Sequence, residues 1–105
     1  MKNFVQPGKI LELTAPYDRK SGEGALIGSI FGVATVDVKS GAKANFSVEG
    51  VFELPKAADT IVEGDEAYWD DTAKVVTTDD TGTVLIGAFV EAASSGAATA
   101  KVLIR

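Results

Sequence analysis

From residue 42 to residue 54 the chain alternates. Ala44, Phe46, Val48, Gly50, Phe52 and Leu54 fall on one side, and Lys43, Asn45, Ser47, Glu49, Val51 and Glu53 on the other. Successive side chains of a strand point to opposite faces, so a period of two sorts these residues cleanly, whereas a helix would scatter them round its circumference. The spacing predicts extended structure over 42–54. Gly50 marks a bulge or bend at which the strand changes sheet.

Gly and Pro punctuate the rest of the sequence at short intervals, the pattern of short strands joined by turns. Strands are expected over residues 9–15, then over 25–30 and 32–38, split by Gly32. Further strands are expected over 67–69, 74–78, 83–92 and 97–105. A single helical turn is expected at 55–60. Residues 93–96 form a small-residue turn between the last two strands, which read as a terminal antiparallel hairpin. No segment has the 3.6-residue periodicity of a helix of about ten residues, and neither a linker nor an internal repeat is detected. The expected fold is all-β: a small single-domain β-barrel or folded-over β-sheet, β-clip- or β-tulip-like, of about seven to nine short strands. Residues 1–7 read as an N-terminal arm, closed by Pro7-Gly8, and residues 8–105 as one β domain.

Composition narrows the chemistry. The 105 residues contain no His and no Cys. Ser-His-Asp and Cys-His nucleophiles, Cys/His zinc sites, haem on His and thiol redox all need one or the other. Ten basic against fifteen acidic residues give a net charge of −5. Duplex affinity rests on Lys and Arg neutralising phosphates, and here the basic residues are dispersed, with only Arg19 and Lys20 adjacent. No nucleic-acid partner is expected. A bilayer span needs about 20 apolar residues; the longest strictly apolar runs here are far shorter, so no membrane partner is expected either. The start Met1-Lys2-Asn3-Phe4-Val5-Gln6 lacks the apolar core of a signal peptide, which reads as synthesis in the cytoplasm.

Each candidate for chemistry has an ordinary explanation. Gly22-Glu-Gly24-Ala-Leu-Ile-Gly28 is spaced GxGxxxG and lacks the strand–helix context of a dinucleotide fingerprint. The acidic residues between Glu63 and Asp80 lack the alternation and distal Glu of a calcium loop, and suit turns through their own side-chain hydrogen bonds. Catalytic, cofactor and metal sites are therefore all assigned as none. Two features suggest binding instead. Adjacent Tyr68 and Trp69 point to opposite faces, one into a core and the other outward or into an interface. The apolar arm carrying Met1, Phe4 and Val5 is of the kind that docks on its own subunit or on a neighbour.

The string Met1-Lys-Asn-Phe-Val-Gln-Pro-Gly8, with Leu13-Thr-Ala-Pro16, Phe31-Gly-Val-Ala34, Gly50-Val-Phe-Glu-Leu-Pro-Lys56 and Tyr68-Trp-Asp-Asp71, resembles the family once labelled DUF2190. Its members are small phage and prophage proteins, many described as capsid cement or decoration proteins. The resemblance spans nearly the whole chain. It implies a non-enzymatic virion protein, made in the host cytoplasm, that binds the major capsid protein on the capsid exterior, typically as a homotrimer at local three-fold positions. Within that picture Met1, Lys2, Asn3, Phe4, Val5 and Gln6 are expected to bind the capsid, and Tyr68 and Trp69 to lie at the oligomer interface. A recombinase label carried by some members is incompatible with a short chain lacking a Walker A loop. A tail or baseplate component, or a small ligand-binding or carboxylate-dependent enzyme barrel, are the alternatives.

Overall fold

The computed structural model describes residues 10–104. Among them there are nine strands and no helix, so the all-β expectation holds and nothing is long and apolar enough to cross a membrane as a helix. The chain divides into two compact units, one up to Gly50 and one from Val51 onward.

The first unit contains β1 (Ile10–Thr14), β2 (Gly24–Ile27), β3 (Ile30–Ala34) and β4 (Lys43–Ser47) in the order β1-β4-β3-β2. Its ladders are antiparallel. The second contains β5 (Gly50–Pro55), β6 (Glu66–Asp70), β7 (Val75–Thr77), β8 (Val84–Phe89) and β9 (Thr99–Ile104) in the order β5-β9-β8-β6-β7. Neither sheet closes into a barrel.

The alternating segment 42–54 supplies β4 and β5, which lie in different sheets. The strand change falls at Gly50, whose φ of 132° is open to glycine and strained for other residues. Phe46, midway along β4, is fully buried with Ala15, Ala25, Ala34 and Val38. Burying such a ring contributes about 1.5–3 kcal/mol.

Three local expectations are corrected. The β2–β3 hairpin turns at Gly28-Ser29, where Gly28 has a φ of 63°, and not at Gly32. Gly32 lies inside β3 because the sheet is too tight there for a side chain: a Cβ would meet Phe46 Cβ at 2.9 Å. Residues 55–60 form no helical turn, because the Lys56 and Ala57 amides are already donated to Ala98 O and Val76 O. The last two strands do pair antiparallel, but their connection runs over 90–98 and is longer than one tight turn.

The fourth correction concerns repetition. Asp18-Arg-Lys-Ser-Gly22 recurs nineteen residues later as Asp37-Val-Lys-Ser-Gly41, and the strands around it recur with it. β1 and β2 enclose the first copy, β3 and β4 the second. Core residues recur at the same interval: Ala15 with Ala34, Ala25 with Ala44, Ile27 with Phe46. The second unit repeats the plan once more. β5, β9, β8 and β6 take the places of β1, β4, β3 and β2, with β7 added at the edge. Even the register agrees: Gly24↔Val33 and Ala25↔Gly32 in the first unit correspond to Glu66↔Ala88 and Ala67↔Gly87 in the second.

Candidate functional site

The two Asp-x-Lys-Ser-Gly turns cross and lock each other. Arg19 and Val38 exchange backbone hydrogen bonds, Arg19 N–H to Val38 O at 2.9 Å and Val38 N–H to Arg19 O at 2.8 Å. Ser21 N–H donates to Asp37 Oδ1 at 2.9 Å, and Ser40 N–H to Asp18 Oδ1 at 2.8 Å. Gly22 N–H reaches Ala34 O and Gly41 N–H reaches Ala15 O, both at 2.8 Å. Gly22 and Gly41 have φ of 91° and 86°, a conformation that a Cβ would strain. The loops thus pair these backbone groups with each other although most of their residues are exposed.

An open cleft of about 320 Å³ lies over this crossing, lined by Asp18, Arg19, Glu23, Asp37 and Lys39 among others. Four of its charged groups are already committed to the fold. The Asp18 and Asp37 carboxylates hold the opposing turns, Glu23 Oε1 accepts the Lys20 amide at 2.7 Å, and Arg19 Nε donates to Asp18 O at 2.7 Å. The cleft is therefore a consequence of the crossing, with these four side chains aimed at the protein itself.

The two halves differ at one edge. Arg19 Nη1 donates to Gly24 O at 3.3 Å, and Tyr17 Oη accepts the Leu26 amide at 3.2 Å. The guanidinium lies 4.9 Å from the Tyr17 ring centroid, a cation–π contact that holds the pair together. At the equivalent positions of the second copy stand Val36 and Val38, where β3 and β4 already pair through their backbones.

In the second unit the same crossing is made by other residues. Ile61 and Ala93 exchange backbone hydrogen bonds at 2.8 and 3.0 Å. Val62 N–H donates to Asp65 Oδ2 at 2.9 Å, as Lys20 N–H does to Glu23. Gly64 N–H reaches Phe89 O and Phe89 N–H reaches Asp65 O, both at 2.8 Å. The last turn is held differently. Buried Lys56 sends Nζ to Ser94 O at 3.0 Å and Ala97 O at 3.4 Å. This gives the terminal Lys of Gly50-Val-Phe-Glu-Leu-Pro-Lys56 a physical role. Asp59, another residue not singled out from sequence, accepts from the Thr77 hydroxyl and from Thr78 N–H.

Tyr68 and Trp69 separate as alternation requires. Trp69 is buried, and its Nε1 donates to Asp71 Oδ1 at 3.0 Å. Tyr68 is half-buried, and its hydroxyl donates to Glu66 Oε2 at 3.1 Å. That hydrogen bond to a carboxylate raises the phenol above its ordinary value of 10.0, with smaller contributions from desolvation and from the charges of Glu66 and Asp80. Leu85, 56% exposed, is Tyr68's partner on β8. The pair share one face of the sheet. Met1 to Gln6 lie outside the described residues.

Asp65, Asp70 and Asp79 serve turns. Asp70 Oδ1 accepts from Thr72 and Ala73 amides, and Asp79 Oδ1 from Thr81. Among the described residues no three metal-ligating side chains cluster.

No curated protein and no solved structure matches the chain. A family does. The phage cement protein family matches residues 5–104, essentially the whole chain and both strand units, and the protein belongs to it.

Proposed function

We propose that this protein binds the outer surface of an assembled phage capsid and holds neighbouring shell subunits together, acting by contact and without catalysis. The observation that carries this reading is the match to the cement family over residues 5–104. The architecture supports it. The polar groups at both turn crossings are spent on internal closure, which suits a rigid clamp.

The partner on the shell is the major capsid protein, and the protein acts as a homotrimer at local three-fold positions after synthesis in the host cytoplasm. Residues 1–7 serve as an arm leading into one β domain, with Met1 to Gln6 reaching the shell. Tyr68 lies at the contact between copies, on the sheet face opposite the buried Trp69. Shell subunits bridged by one assembly cannot part until several contacts break together, because each contact raises the effective concentration of the others.

Cosedimentation with expanded capsids lacking the protein tests the reading. Saturable binding, with capsids then surviving heating that ruptures bare ones, is expected. Capsids that never retain the protein would overturn it. A variant lacking residues 1–6 is expected to bind weakly, and undiminished binding would remove the arm's role.

A further inference from the structure

The first unit treats its two edges differently. Hydrogen bonding alternates along an edge strand, so every second residue directs its N–H and C=O away from the sheet. On β2, Glu23 faces β3 through its bond from Ala34 N–H, so Gly24 and Leu26 face outward. Their outward groups are the ones taken by Arg19 and Tyr17: Gly24 O by the guanidinium and Leu26 N–H by the phenol oxygen. An incoming strand would find these acceptor and donor sites filled and two bulky side chains across its path. This is a chemical cover for an edge that would otherwise pair with another chain.

The edge of β1 has no such cover. Ala15 faces β4, donating to Ala42 O at 2.9 Å and accepting from Gly41 N–H at 2.8 Å. By alternation Leu13 and Leu11 also face β4, and Ile10, Glu12 and Thr14 direct their backbone groups outward. Among the described residues nothing bonds to them. Their side chains are exposed, with Ile10 at 45%.

The first unit of a second copy is a poor occupant of that edge. The covered edge of β2 cannot receive β1. Antiparallel pairing of β1 with itself, using all three outward residues, places Ile10 opposite Thr14 and Glu12 opposite Glu12. Like charges directly opposite one another destabilise a strand pair. A foreign strand with a cation opposite Glu12 and an apolar side chain opposite Ile10 satisfies the same geometry.

We infer that the β1 edge is a strand-addition site for an extended segment of the capsid shell bearing Lys or Arg opposite Glu12, and that Tyr17 and Arg19 confine strand addition to this edge. The identity of the partner rests on the cement reading, whereas the selection between edges does not.

Two variants test it. Glu12→Pro removes an outward N–H while leaving the β1–β4 ladder its bonds, and Pro is tolerated at such an edge position. Glu12→Lys reverses the charge. Both are expected to bind expanded capsids at least about tenfold more weakly than wild type, with the Leu11 and Leu13 amides still protected from exchange. Wild-type binding by both variants, with that protection intact, overturns the β1 site. A mass change of Glu12→Pro in the absence of capsids overturns the foreign partner, because the edge then serves copies of the chain.

The double variant Tyr17→Phe/Arg19→Met is expected to exchange the Leu26 amide faster and to self-associate in sedimentation. Unchanged exchange and mass overturn the role of the cover. Capsids that bind neither wild type nor variants would overturn the cement reading and the proposed partner, while the sedimentation result still decides on the cover.

Discussion

In the first unit, the turn that follows Val38 is held by a carboxylate accepting from a backbone amide, Asp18 from Ser40. In the second, the turn that follows Ala93 is held by an ammonium donating to backbone carbonyls, Lys56 to Ser94 and Ala97. Strand order and register are the same around both crossings. The difference shows what the fold demands at this point: the unpaired backbone groups of the turn need a partner, and either polarity serves. Side-chain identity is free to drift where the requirement is only that a peptide group be satisfied.

The largest expected effect tests whether the units are equivalent in packing as well as in order. Gly32 and Gly87 occupy matching positions on β3 and β8. A Cβ at Gly87 would lie 1.8 Å from Leu103 O, whereas at Gly32 its nearest contacts are Phe46 Cβ at 2.9 Å and Ser47 O at 3.4 Å. Backbone atoms yield less readily than a side chain. Gly87→Ala is expected to cost about 3 kcal/mol or more and to prevent accumulation of folded protein, and Gly32→Ala to cost about 1–2 kcal/mol. Urea unfolding would check both, and equal midpoints would break the comparison.

Next come the two anchors. Lys56→Met keeps the aliphatic stem but leaves two part-buried carbonyls without their ammonium donor, at a cost of about 1–3 kcal/mol. Asp18→Ala removes one exposed acceptor and is expected to cost about 0.5–1.5 kcal/mol. The same denaturation measurement ranks them, and a larger loss for Asp18→Ala would show that the first crossing depends on its anchor more than burial implies.

The smallest effect concerns Tyr68, which stands on β6 where the first unit has Leu26. Its hydrogen bond to Glu66 favours the neutral phenol, so its folded value lies above 10.0. The associated stabilisation is complete below pH 10 and is lost as pH climbs through the folded value. Titration of phenolate absorbance should show Tyr68 ionising at lower pH in Glu66→Gln. An unmoved titration would remove the hydrogen bond as the cause.

Much of the strand content was legible because β4 and β5 carry their period openly. Tyr68 and Trp69 likewise separated into a half-buried and a buried residue, as alternation requires. The repeat was hard to see, for a physical reason. The first unit keeps Asp-x-Lys-Ser-Gly in both copies, but among the fourteen residues between them, 23–36, only Ala25 is identical to its counterpart nineteen residues on. The second unit keeps the backbone bonds of Val62-Glu-Gly-Asp65 and its one carboxylate–amide bond, but not the residue types. Gly32 misled because two demands select glycine: a left-handed turn, as at Gly28, and close strand approach. Composition does not separate them. Lys56 was hidden for a related reason, since a lysine in sequence reads as surface until its carbonyl partners are seen.

The reciprocal lock between the crossed turns also bears on durability. Lys20–Ser21 and Lys39–Ser40 are peptide bonds after lysine in exposed loops, the usual place for a trypsin-like enzyme to cut. Each of those amide groups is pinned by the opposing aspartate, so the chain cannot be drawn out into a protease cleft without first opening the crossing. Two sites that look vulnerable on paper are thereby guarded, each by the other loop.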